Sequence, residues 1–167
     1  MKNKTLDKAF ELCKLNENSN DKSIIYNFIG VIHFMKKNLA EAEKFFLKVI
    51  EIDDKFQDPI RNLCVIYSIT KKFKELLNYS TKLYYLDSKN PLNIFQIGSA
   101  NELNKNYDEA IKYYELYINT DGSDKKRGFN NIGNIYLRKG KPKTSVKYFS
   151  KALELDSNNK LLINNIL

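Results

Sequence analysis

At 167 residues, with 43% hydrophobic and 13% aromatic side chains, the chain is about one domain long and too apolar for intrinsic disorder. Six glycines and three prolines fit long helices with short turns better than a sandwich or barrel, and no run reaches the roughly 18 apolar residues of a membrane span. The formal charge of +8 is nearly all lysine, which raises nucleic acid or an acidic partner as a question that the placement of the lysines decides.

From Met1 to Asp21 there are lysines but no continuous apolar stretch. Leu6, Phe10, Cys13 and Leu15 are dispersed as on one side of a helix, which predicts a helix over 4–16 and argues against a secretory signal peptide. The expected compartment is the cytoplasm. Tyr26, Ile29, Gly30 and His33 follow i, i+3, i+4, i+7 spacing and predict a helix over 22–36. The polar turn Lys36-Lys37-Asn38 leads into a second helix over 39–53. Ile60, Leu63, Cys64 and Tyr67 mark 57–70, followed by 73–86. Ile94, Ile97, Gly98 and Asn101 mark 91–104, followed by 107–119. After the loop signal Asp121-Gly122-Ser123, Phe129, Ile132, Gly133 and Tyr136 mark 125–138. Pro142 then opens a helix over 142–155, where its missing N–H costs nothing, and a last helix is expected over 159–167.

The helices repeat. Gly30, Cys64, Gly98 and Gly133 are spaced by 34, 34 and 35 residues. Ala42, Leu76, Ala110 and Ser145 keep that spacing, as do Phe46, Ser80, Tyr114 and Phe149, and Leu39, Phe73, Tyr107 and Pro142. This helix–turn–helix unit resembles the tetratricopeptide repeat family, on Gly30, Ala42 and Phe46, on Gly98, Ala110 and Tyr114, and on Gly133, Tyr136, Phe149 and Ala152. The second unit departs most, with Cys64, Leu76 and Ser80 in those columns. The resemblance implies an all-α solenoid, a right-handed superhelix of antiparallel helix pairs with about nine to ten helices. Its expected layout is an N-terminal half-repeat over 1–22, four units over 23–56, 57–90, 91–125 and 126–159, and a C-terminal helix over 160–167 that caps the stack or starts a fifth unit.

Catalytic patterns are not found. His33 has no Ser, Cys or carboxylate visibly paired with it and shares a column with Tyr67 and Tyr136, so a packed structural histidine is expected. Cys13 and Cys64 have no metal or disulfide spacing and are expected to be buried free thiols. There is no phosphate loop or nucleophile elbow, and Asp121-Gly122-Ser123-Asp124 lacks the later ligands of a calcium loop. The chain is read as non-enzymatic, with no metal and no cofactor. Lys36 and Lys37, Lys71 and Lys72, Lys105, and Lys139 and Lys141 recur at the ends of first helices, where they complement the helix dipole. Lys44, Lys112 and Lys147, like Lys48, Lys82 and Lys151, recur on second helices. Lysine without interleaved arginine and exposed aromatics disfavours nucleic acid.

A partner would meet the side of each first helix opposite its core line, found at about 100° per residue. That side carries Phe28, Val31 and Met35, with Ile24, in the first unit, and Asn62 and Val65, with Asp58 and Ile69, in the second. Gln96 lies there in the third unit, with Leu92, Ser99 and Leu103. Arg127, Asn131, Asn134 and Arg138 follow in the fourth, and Asn165 in the last helix. In the family this side lines a concave groove that binds a protein or peptide. Asn62, Gln96, Asn131 and Asn165 form a column of side-chain amides able to pair with a peptide backbone, and Asn130 to Asn134 resembles the asparagine ladder of O-GlcNAc transferase repeats. Two further family patterns stay open, a secretion-type chaperone and a carboxylate-clamp co-chaperone. For the clamp, Arg61 and Arg127 could supply cations, but Val65 and Asn131 depart from it. The alternative outside the family's usual role is a basic helical protein acting on nucleic acid or an acidic surface. No membrane contact is expected. The apolar end Leu161 to Leu167 leaves a weak homodimer open beside a monomer.

Overall fold

In a computed structural model, which describes residues 2–16 and 21–155, every described element is a helix and there is no strand among the described residues. The elements are α1 (Lys2–Leu15), α2 (Lys22–Met35), α3 (Leu39–Ile52), α4 (Gln57–Ile69), α5 (Phe73–Leu86), α6 (Pro91–Leu103), α7 (Tyr107–Ile118), α8 (Lys125–Arg138) and α9 (Pro142–Glu154). Those nine lie within one or two residues of the segments expected from periodicity. The expected helix over 159–167, with Asn165 and the apolar chain end, lies outside the described residues. The chain divides between Leu86 and Asp87 into two compact units.

In the N-terminal unit α2 pairs with α3 and α4 with α5, α1 packs on α2, and α3 packs on α4. In the C-terminal unit α6 pairs with α7, α8 with α9, and α7 packs on α8. Each hairpin turns in the same way. Lys37, Lys71, Lys105 and Gly140 are left-handed, at φ 62°, 58°, 63° and 68°. The amide that follows each reaches back 2.9 Å to a carbonyl in the last turn of the helix, Asn38 to His33, Lys72 to Tyr67, Asn106 to Asn101 and Lys141 to Tyr136. These are Schellman closures, and only the fourth uses the glycine that adopts this conformation without strain. Two first helices are also capped at their starts. Asn90 accepts from the Leu92 amide ahead of Pro91, and Asp124 accepts from the Arg127 amide.

The column of small residues marks where the two helices of a hairpin touch. A Cβ added to Gly30 would lie 2.6 Å from Cε1 of Phe46, and one added to Gly133 would lie 2.6 Å from Cε1 of Phe149. At Gly98 the corresponding atom belongs to Tyr114, at 2.9 Å. In the α4–α5 hairpin the two volumes are exchanged. Cys64 adds a side chain on one helix, Ser80 removes an aromatic ring from the other, and Sγ meets Oγ at 3.5 Å. The departure of this unit is therefore a compensated pair, and both residues remain buried.

Candidate partner-binding faces

The N-terminal unit keeps its first-helix side apolar and open. Phe28 and Met35 are 55% and 60% exposed, and Ile24, Val65 and Ile69 are exposed as well. Val31 and Asn62 are half-buried. Since α2 and α4 are in contact, these side chains belong to one unit's surface. The faces exist because Ile29, Leu63 and Ile66 bury the other side of the same helices completely. Arg61 is not available as a free cation. Its Nη1 donates to Asp58 at 3.2 Å and its Nη2 to Gln57 at 2.6 Å.

The corresponding side of the C-terminal unit is polar, and neighbouring helices brace it from beneath. Gln96, Ser99 and Asn131 are half-buried, while Leu92, Arg127, Asn134 and Arg138 are exposed. At one end the Arg127 guanidinium of α8 lies 3.7 Å from the ring centroid of Phe95 on α6. Phe95 is itself buried against Tyr114 and Tyr117. At the other end Arg138 donates to Glu102 of α6 at 2.6 Å. Between them the Tyr114 phenol donates to the other oxygen of Glu102 at 2.9 Å. Burial and then the Glu102 charge push the Tyr114 pKa up, so the phenol stays protonated and remains a donor.

Phe95, Glu102 and Tyr114, which support this side from beneath, are not among the residues expected from the helical spacing. A signal was present in the repeat columns. Phe95 stands where the other units have Asn27, Arg61 and Asn130, and Glu102 stands where they have Phe34, Ser68 and Leu137. The proposed amide column is also divided, with Asn62 in one unit and Gln96 and Asn131 in the other.

Several lysines are engaged on the edges of the hairpins. Lys36 meets Asp7 at 2.6 Å, Lys72 meets both oxygens of Glu43 at 3.0 and 2.9 Å, Lys82 meets Asp54 at 3.3 Å, and Lys139 pairs with Asp108. Three of these join the end of a first helix to the second helix of the preceding hairpin or its N-terminal counterpart. Lys48 lies 5.0 Å from the rings of both Tyr26 and Phe45, and Lys151 covers Phe129 and Tyr148 in the same repeat positions.

His33 is packed, stacked on Phe45 and edge-on to Phe10 of α1. Its pKa is lowered, chiefly by burial, so the ring is neutral near pH 7. Cys64 is buried, and burial pushes its thiol up to about 11. Cys13 is only half-buried rather than buried, and burial also raises its pKa. Neither environment favours a reactive thiolate. Among the described residues no three His, Cys, Asp or Glu side chains cluster to hold a metal, and no helix is long and apolar enough to cross a membrane.

The type IV pilus assembly protein PilF of Pseudomonas aeruginosa is 27% identical over 134 residues, which cover 80% of this chain and 53% of that protein. The chain therefore spans about half the length of this relative. Among solved structures, MamA superposes with a TM-score of 0.81 at 19% identity, covering 92% of this chain and 90% of that one. YrrB, described as a TPR protein with an unusual peptide-binding site, superposes with a TM-score of 0.82 at 20% identity, covering 97% and 84%. The family model described as tetratricopeptide repeat matches residues 24–56, 93–124 and 127–159, more than half of the sequence. Between its first two matches lies the hairpin in which Cys64 and Ser80 exchange volumes. The helical hairpins, their columns and these matches agree: the chain belongs to the tetratricopeptide repeat family.

Proposed function

We propose that this chain is a non-enzymatic binding module that holds a protein or peptide partner on its exposed first-helix faces, that of α2 and α4 in one unit or that of α6 and α8 in the other. The observation that carries the reading is the exposure of large apolar side chains opposite the buried core of these helices, with Phe28, Met35 and Leu92 each more than half exposed. Apolar surface of this kind is stabilised when a partner removes it from water. The amides of Asn62 in one unit and of Gln96, Asn131 and Asn134 in the other can each pair with a peptide backbone. The peptide-binding site named for YrrB, a neighbour in fold, supports the same reading.

The pairing of Arg61 with Asp58 and Gln57 weakens the carboxylate-clamp alternative. Lysine engagement with acids and rings likewise weakens the nucleic-acid alternative.

The test is a comparison of proteins retained from native lysate by three forms of the chain. Phe28→Ser with Met35→Ser is expected to lose proteins that the wild type retains. Tyr85→Ser, which removes an exposed ring on α5, is expected to keep them. Equal retention by all three forms would place the contact elsewhere.

A further inference from the structure

We infer that the α6/α8 face of the C-terminal unit selects an extended peptide carrying an acidic side chain, and that Arg127 is the residue that anchors it. This rests on the reading of the first-helix faces as binding surfaces and specifies the chemistry of the partner at one of them.

The two arginines of this face are in different states. Arg138 is already matched, because Glu102 accepts from it at 2.6 Å. A second carboxylate arriving there would meet the charge of Glu102. Arg127 is exposed and forms no ion pair among the described residues. The nearest acid in sequence, Asp124, is occupied as the helix cap, accepting from the Arg127 backbone amide at 3.1 Å.

The contact with Phe95 matters as much as the missing partner. With Cζ 3.7 Å from the ring centroid, the guanidinium is held over the ring by a cation–π attraction that uses none of its N–H donors on an acid. Phe95 is buried, so the platform is fixed by the core of the unit. An arginine held in this way loses less side-chain freedom on meeting a carboxylate than a free one does. Lys125 and Lys126 precede it and add positive potential at the same end.

A charge register follows. Arg127 and Arg138 are eleven residues apart on one helix, about 16 Å along its axis, which an extended peptide spans in roughly five residues. The peptide would place Asp or Glu at the Arg127 end, uncharged residues over Gln96 and Asn131, and no acid opposite Glu102.

The experiment uses the full chain and three pools of fluorescent twelve-residue peptides. The pools are built from Ala, Ser, Thr, Asn and Leu, with one central Glu, Gln or Lys, and binding is read by anisotropy. The wild type is expected to bind the Glu pool about five- to tenfold more tightly than the Gln pool, the Lys pool being weakest. Arg127→Gln should reduce that preference to less than about twofold, and Arg127→Lys should keep only part of it. Lys143→Gln, which removes an exposed cation on α9, should leave the preference unchanged. Helicity measured by circular dichroism establishes that each variant is folded.

Equal binding of the Glu and Gln pools by the wild type, or an undiminished preference in Arg127→Gln, would overturn the anchor and leave peptide binding standing. Binding of no pool would overturn the peptide reading together with the anchor. Displacement of the Glu pool by an equimolar twelve-nucleotide thymidine strand would assign Arg127 to nucleic acid and overturn the acidic-peptide reading.

Discussion

The exposed sides of α2 and α4 in one unit and of α6 and α8 in the other are built from the same repeat positions, yet they are held by different physics. In the N-terminal unit Ile24, Phe28, Met35, Val65 and Ile69 stand in solvent, and the Asn62 side chain makes no hydrogen bond to another described residue. In the C-terminal unit the equivalent surface is tied at three places, by Arg127 on Phe95, by the phenol of Tyr114, and by Arg138 on Glu102. An open apolar face gains affinity from area and tolerates changes of shape in its partner. A braced polar face fixes where donors and charges stand, so it discriminates by position. The same bracing makes its residues part of the fold. Substitutions that are nearly silent for stability in one unit should therefore be costly in the other.

The largest expected contrast is between two phenylalanines. Phe95→Ala removes a buried ring packed on Tyr114 and Tyr117 and should destabilise the C-terminal unit by about 3–5 kcal/mol. Phe28→Ala removes a ring already more than half in water and should change stability by less than about 0.5 kcal/mol. Hydrogen exchange followed separately over the two units measures both. Comparable losses would show that Phe28 is anchored as firmly as Phe95 and that the two faces do not differ.

Beneath the faces the cores are alike, which a second substitution can establish. Ala42 and Ala110 occupy one column, and both are completely buried. Ala110→Leu should overpack the α6–α7 hairpin and cost about 1–3 kcal/mol. Ala42→Leu should cost a similar amount in its own unit. Leu76 shows why that column is not closed to leucine everywhere, because its hairpin has Ser80 in place of the ring. An unchanged melting temperature for Ala110→Leu would mean that the column is not a contact between helices.

What the sequence could reveal follows from this division. Helices and the sides they bury depend on spacing within one segment, so Ile29, Leu63, Ile97 and Ile132 were legible, and so was the exposed side opposite them. Bracing depends on which side chains meet across helices. Arg138 looked like a free cation because Glu102, its partner, lies a full repeat away and has no acidic counterpart in the other units. Asn131 looked equivalent to Asn62 because a column shows residue type and not what lies beneath it. Tyr114 was legible as a ring that fills space, but not as a phenol that organises a surface. In each case the distinguishing atom belongs to a residue on another helix.

Asn131 and Asn62 supply a smaller test. If both pair with a partner's backbone, replacing the two by alanine should weaken binding roughly tenfold, each lost pairing costing about 0.5–1.5 kcal/mol. Their effects on stability should differ. Asn131 is half-buried beside the Tyr114 phenol, so Asn131→Ala should lower the stability of the C-terminal unit by up to about 1 kcal/mol. Asn62→Ala should leave the N-terminal unit unchanged within about 0.5 kcal/mol. Denaturant titration of the single variants gives these values, and equal losses would erase the distinction between the two amides.

The smallest expected effect is one of pH, and it falls on one unit because His33 is the chain's sole histidine. Its folded pKa is lowered by burial between Phe10 and Phe45, while in the unfolded chain it takes its ordinary value near 6.5. Above that value the ring is neutral in both states and its contribution to stability does not depend on pH. As the pH falls below it, the unfolded state takes up the proton first, so the folded state loses ground until its own lower pKa is reached. Glu41 opposes the shift, while Lys36 and Lys14 reinforce it. The His33 ring resonance should therefore titrate with a midpoint below 6.5. Between pH 7 and 5.5 the hydrogen-exchange protection factors, taken relative to the intrinsic rate at each pH, should fall in α2 and α3 and not in α8 and α9, and His33→Phe should abolish the difference. A midpoint at or above 6.5 would mean that α1 does not bury the ring.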